Sequence, residues 1–568
     1  MKSDSAPSSP PCNTAFRPDL QEYHRPYTAK MHGNFAFIIA AFCLPLLYDT
    51  YNTHQAQFLE VVELSAGLLQ SCSISLSKES GNGAHGSHSI ILTKKQLIMQ
   101  KLLLSVIIIV SSLVGSAQSY DERIATAMNT SDWFALDSTY NSAPKDSIMP
   151  FLEVFSRCLI GNKLNRPDVS VPAFDQLFKE HSASLDLGNL LSSTVMFATD
   201  LGRIGYYQQA SDLAKTILYA TRQHLDSLWT SSLEQITSKY AALAAYKPYA
   251  ITFAESTGRI PFKIVPVGEE KNRSVLMHLE NSAINGHIAD ITFDTGAGVN
   301  TISDSLARHL NLIPIDGYVT AAGVGKRVGQ YAIAKEVRIG NITVTDVPFV
   351  IIDFKTGNAK ADQVTHNFSI ILGNELMLQL KDVTLDFTNN EITVPSIAPE
   401  RSNAAPNMCF GEGMTLNCRG SILNNPIMMN IDTGDASFGT LGVSFFNANK
   451  DFILAHAETD TIRRSGLGGV VESLGYRVTQ MPVSLGGHTI GIQGLVVDAS
   501  ESSAAMDFNC NLGIKTLMQF DKIRFNLVDF VLTTYPQIIL GFNNQHYNVP
   551  TFQFPKNRSV SPLQALGI

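Results

Sequence analysis

Apolar residues between Tyr120 and Ala250 recur at intervals of three and four, as in Ala210, Leu213, Ala214, Ile217 and Leu218, with Gly or Pro between segments. An α-helix turns once in about 3.6 residues, so this spacing lays one apolar stripe along each of a series of helices. Beyond Ile260 the period changes. Val275–Leu279, Ile288–Phe293 and Val347–Ile352 are short strand-like runs bounded by turn residues, and Val337–Val344 reads as a hairpin closed at Gly340-Asn341. The pattern predicts an α+β chain with an N-terminal α-helical domain at 118–258 followed by β-rich text.

The β-rich text repeats itself. Phe293-Asp294-Thr295-Gly296-Ala297 returns as Ile431-Asp432-Thr433-Gly434-Asp435. Ile371-Leu372-Gly373, followed by Leu385-Asp386-Phe387, returns as Asn511-Leu512-Gly513, followed by Phe525-Asn526-Leu527. Gly373 lies 79 positions beyond Asp294 and Gly513 lies 81 beyond Asp432, a register that chance similarity would not hold. The expectation is a duplicated unit covering Phe262 to Pro395 and Met408 to Thr534, joined by the Ser/Asn/Pro-rich stretch Ser396 to Asn407. The resulting partition is a first lobe at 259–400, a second at 401–550 and a tail at 551–568.

Composition narrows the class. With 45% hydrophobic and 16% charged residues the chain is globular, and its formal net charge of -8, spread without long like-charge runs, gives no footprint for nucleic acid or anionic lipid. Lys101, the apolar run Leu102 to Val114 and the small residues Gly115-Ser116-Ala117 are the three parts of a signal peptide, expected at 99–117 with cleavage before Gln118. Met99 is read as the start and residues 1–98 as a doubtful extension; the product would be exported, periplasmic or extracellular, without stable membrane insertion. Cys158, Cys409, Cys418 and Cys510 remain beyond that extension, with no Cys-x-x-Cys pair, so zinc and thioredoxin spacings are absent. Cys409 and Cys418 flank a possible hairpin, and sequence does not give their pairing.

Two apolar strands that each end in Asp-Thr-Gly, with an apolar-apolar-Gly signal far downstream, resemble the aspartic peptidases. The short lobes and the form of Asp294 to Ser303 are similar to the retropepsin-like branch, here in tandem. The resemblance implies two acid-protease lobes with Asp294 and Asp432 as a catalytic dyad sharing one proton, since two adjoining carboxylates do not both ionise cheaply. It implies that Thr295 and Thr433 brace the two loops, that Gly296 and Gly434 permit the turns, and that Gly373 and Gly513 pack behind them. Gly323 and Gly325, and Gly466 and Gly468, fall where flap tips would bend over a polypeptide substrate held as an added strand. No cofactor is implied, and a duplicated chain would work as a monomer.

Other readings are open. The glycine-rich segments lack the βαβ context of a dinucleotide fingerprint. His278, His287, His366 and His488 have no metal spacing, and no Gly-x-Ser-x-Gly or His-Glu-x-x-His occurs. Asp435 departs from the Ser or Thr that the pepsin-like branch places after the glycine, so an inactive peptide-binding protein of the same fold stands as an alternative. Leu201-Gly202 with Tyr206, Tyr207 and Ala210 fits the tetratricopeptide helix-hairpin signature about as well as a generic bundle, which leaves a partner-binding helical scaffold as a third reading. Ala297 brings no hydroxyl and Asp435 brings a charge, and both predict a dyad that titrates above the pepsin range.

Overall fold

The structure is a computed structural model that describes residues 118–267, 274–323, 325–358, 362, 369–467, 469–500 and 510–536. The expected signal peptide, the extension before it, the tail at 551–568, His366 and Gly468 lie outside the described residues. The chain divides into two compact units, 25–129 and the remainder. Of the smaller unit, the described part is helix α1 (Tyr120–Asn129), opened by a reciprocal cap: Ser119 N donates to Glu122 Oε2 at 3.0 Å and Glu122 N to Ser119 Oγ at 3.2 Å.

The larger unit begins with helices α2 (Trp133–Ser142), α3 (Pro150–Lys163), α4 (Pro167–Glu180), α5 (Leu187–Arg203), α6 (Tyr207–Thr221) and α7 (Ser227–Leu243). Their starts are written in the sequence. Asp132, Asp186 and Asp226 each accept the backbone N–H three residues on, while α3 and α4 open on proline. Each helix packs on the next, and two contacts leave no room for a side chain. A Cβ on Gly161 would stand 2.5 Å from Ser170 N, and one on Gly202 2.4 Å from the Tyr240 ring. Asp200, fully buried, is satisfied by Ser170 Oγ at 2.5 Å, Asn162 Nδ2 at 2.9 Å and Arg203.

From Ala250 onward the described residues are strand-rich and form two sheets, of 15 and 10 strands. The long strand Thr257–Val267 belongs to two neighbourhoods: residues 257–261 pair with Glu391–Pro395, and 262–267 with Ser274–Leu279. The run expected over Ile288–Phe293 is two strands. His287–Ile288 pairs with Ser282–Ile284, whereas Ile291–Phe293 pairs with Ser274–Leu279 and Ile370–Leu372. The partition into lobes by sequence does not coincide with the sheets: Phe520–Asn526 pairs antiparallel with Asp382–Asp386 of the first lobe. Arg524 and Lys522 bond Asp382 and Asp386 across that seam at 2.7 and 2.8 Å. One buried apolar cluster runs from Ile260 to Leu532 through both sheets.

Strands Met408–Phe410 and Leu416–Ile422 do pair, but Cys409 stands opposite Asn417 and Cys418 opposite Met408. Neighbouring positions on paired strands face opposite ways. The thiols of Cys158, Cys409, Cys418 and Cys510 are free and buried.

The helices dock on the strands at several points. Asn165 Nδ2 donates to Leu527 O at 2.8 Å, Arg419 pairs with Asp132 at 2.6 Å, and the Arg203 guanidinium lies 4.7 Å from the Phe410 ring centre.

Candidate active site

Strand Ile291–Phe293 is buried throughout and delivers Asp294 at its end, where Asp294 N donates to Leu372 O at 3.0 Å. Strand Asn425–Asp432 delivers Asp432, with Asp432 in parallel register with Gly513. Each acid is then fixed by its own turn. Asp294 Oδ1 accepts from Gly296 N at 2.8 Å and Ala297 N at 3.1 Å; Asp432 Oδ1 accepts from Gly434 N and Asp435 N, both at 2.9 Å.

The two turns interlock through their buried threonines. Thr295 Oγ1 donates to Ile431 O at 2.6 Å and accepts from Thr433 N at 3.1 Å; Thr433 Oγ1 donates to Phe293 O at 2.7 Å and accepts from Thr295 N at 3.0 Å. A Cβ on Gly296 would lie 2.4 Å from Asp432 Cγ, and one on Gly434 2.2 Å from Asp294 Oδ2. Glycine is therefore required by the opposite carboxyl group. The carboxyl groups of Asp294 and Asp432 each lie against the glycine of the opposite turn.

That enclosure raises the proton affinity of both. Burial pushes Asp294 above its ordinary value of 3.8, against the donation it receives from Gly296, Asp432, Ala297 and Gly434. Burial pushes Asp432 well above the same value, reinforced by the charges of Asp294 and Asp435 and opposed by Asn511.

Gly373 and Gly513 pack behind the turns: a Cβ on Gly373 would be 2.5 Å from Ala297 O, and one on Gly513 2.4 Å from Ser437 O. Several asparagines that sequence reasoning passed over complete the support. Asn300 Oδ1 accepts from Gly373 N at 2.9 Å, and Asn374 Nδ2 donates to Thr295 O at 2.9 Å and to Met414 O at 3.1 Å. Asn300 Nδ2 bonds Tyr249, whose hydroxyl donates to Glu375, which is paired at 2.7 Å with Lys239 of α7. Burial opposes the charge on Lys239, yet Glu375 holds its proton affinity well above normal.

Two hairpins pair Ile313–Ala322 with Lys326–Ile339 and Ala457–Gly466 with Gly469–Val478. Gly323 and Gly325 lie at the first tip and Gly466 at the second, and the tips touch: Gly325 N donates to Leu467 O at 2.8 Å, and a Cβ on Gly323 would be 3.0 Å from Leu467 Cβ. Helix α7 packs along the first hairpin, where Gln235 Oε1 accepts from Thr320 N at 2.8 Å and Gln235 Nε2 reaches Thr320 Oγ1 at 3.3 Å.

The described histidines stand apart from the turns. His278 is buried in its strand, the rings of His287 and His309 lie 5.8 Å apart, and His488 bonds Thr534. Among the described residues no group of three or more His, Cys, Asp or Glu is arranged to hold a metal ion.

Residues 281–376 match a family model described as aspartyl protease. No curated protein matches the sequence. The matched stretch holds Asp294, its turn and Gly373, and it ends before Asp432, so the chain carries an aspartic protease-like domain over its first catalytic-type turn.

Proposed function

We propose that the chain is a single-chain aspartic endopeptidase with two duplicated retropepsin-like lobes, in which Asp294 and Asp432 together activate water. The observation that carries this reading is the mutual seating of each carboxyl group against the other turn's glycine, held by the crossed threonines. One of the two, ionised, takes a proton from a water between them as the other gives its own to the scissile carbonyl oxygen. The tetrahedral species then collapses as a proton passes to the leaving nitrogen. A substrate would lie extended beneath the paired hairpins, bonded by backbone as an added strand.

Asp294→Asn and Asp432→Asn, each nearly isosteric, are expected to reduce cleavage of a peptide library by at least about a thousandfold with the fold retained by circular dichroism. Near-wild-type cleavage by purified Asp432→Asn would remove the dyad. Asp435 beside Asp432 favours one rival, a protein that binds peptides without turnover; binding by wild-type protein with no cleavage at any pH would establish it. Export belongs to the same proposal, on the strength of the run Lys101 to Ala117. N-terminal mass analysis of protein from its native compartment should find a product beginning near Gln118, and recovery of intact chain from Met1 would refute the processing.

A further inference from the structure

We propose that Asn511 is a positioning residue of the dyad, a two-pronged donor whose amide lets the Asp435 carboxylate stand beside Asp432 without disabling it; this rests on the dyad reading above. Asn511 lies on strand Cys510–Gly513, in register with Asn430 on the parallel strand that carries Asp432. Asn430 Nδ2 donates to Asn511 Oδ1 at 2.6 Å. A primary amide has one acceptor oxygen and two N–H donors, so a donor at its oxygen fixes which way it faces. Both N–H groups are then turned to carboxylates: Asn511 Nδ2 is 3.1 Å from Asp432 Oδ2 and 2.8 Å from Asp435 Oδ2. The remaining oxygen of Asp435 accepts from Ser437 N at 2.9 Å and Ser437 Oγ at 2.7 Å.

The first turn has no such device. Ala297 stands where Asp435 does, and Ile371, two residues before Gly373, where Asn511 does. The two halves of the dyad therefore differ by one charge and one donor. Asp294 and Asp435 are the charged groups that face Asp432, and Lys515 near this turn lies over the Phe438 ring at 4.6 Å. A donor to a carboxylate favours its ionised form, so Asn511 acts against burial and both neighbouring charges. It keeps the proton of Asp432 exchangeable. A hydroxyl after the glycine would do this in one residue; here the carboxylate at 435 holds the amide and the amide serves Asp432.

The test compares wild type, Asn511→Leu and Asn511→Leu/Asp435→Ser by the pH profile of kcat/KM and by 13C titration of the Asp432 carboxyl, assigned by its loss in Asp432→Asn. Asn511→Leu should move the alkaline limb and the Asp432 titration upward by about one pH unit, the scale of one charge-assisted hydrogen bond. Adding Asp435→Ser should return both towards wild type. A folded Asn511→Leu protein with unmoved limb and titration overturns the proposal. If Asn511→Leu does not fold, Asn511→Ser, which keeps one donor, should shift the same way by less, and an unshifted Asn511→Ser titration overturns it equally. Absence of cleavage by wild type would sink the peptidase reading alone, since the Asp432 titration still decides the role of Asn511.

Discussion

Each threonine of the interlocked turns spends its hydroxyl on the other turn. Thr295→Val keeps the shape and removes both bonds, leaving Ile431 O and Thr433 N buried without partners. At about 1 to 3 kcal/mol for each unsatisfied group, the loss should total about 2 to 6 kcal/mol, read as a lower melting temperature, with Thr295→Ser close to wild type. Unfolding of Thr295→Val at the wild-type temperature would show that the turns hold without the cross-bonds. The dyad works in the opposite direction. Because the fold raises the proton affinity of Asp432, the stability this group contributes is fully present below its ordinary value of 3.8 and is lost as pH rises towards its folded value. Asp432→Asn should therefore melt higher than wild type at pH 7, a gap that closes as the pH falls to 3.8, while activity is lost. The charge of Asp435 beside Asp432 helps the pair hold its proton, so Asp435→Ser should lower the alkaline limb of the pH profile. The two Asp-Thr-Gly turns were legible because their chemistry is local. Asn511, in a strand, Asn300, just before one, and Asn374, opening a helix, were not, because an asparagine carries no local sign of what a distant segment brings to it.

At the scale of elements, helix α7 and the first hairpin behave as one piece. Gln235 binds the Thr320 backbone and side chain, and Lys239 reaches Glu375 next to the supporting glycine. Gln235→Ala should free the hairpin and lower kcat/KM by several-fold with only a modest fall in melting temperature, since its two exposed neutral bonds to Thr320 contribute about 1 kcal/mol each. Lys239→Met leaves Glu375 enclosed without its partner and should destabilise by about 3 kcal/mol, partly recovered by adding Glu375→Gln. Equal stability of Lys239→Met and wild type would show the pair to be solvated. Periodicity announced α7 as a helix and the glycines announced the hairpin tips, yet nothing in either announced their contact. The apolar run at Ile288–Phe293 shows the same limit: alternation marks strand, and only pairing decides which strand it joins.

Across the whole molecule, the two acids come from segments 138 residues apart that share one buried core, so a single chain supplies both halves of the site. Specific activity should hold constant on dilution, with one sedimenting species. A collapse of activity at low concentration alongside a shift in sedimentation would mean that the site forms between chains. The expected helical-then-strand order matches the observed order of elements. The seam between Asp382–Asp386 and Phe520–Asn526 was hidden, because antiparallel pairing over that separation leaves no periodic trace.

That seam also sets a clock. Synthesis runs from the N-terminus, so a growing chain carries Asp294 before the strand behind Asp432, Cys510–Gly513, begins 216 positions further on, and longer before the closing strand Phe520–Asn526 exists. Half a dyad cannot share a proton. In the proposed peptidase, cutting would have to wait until the strand Phe520–Asn526 had been made and paired.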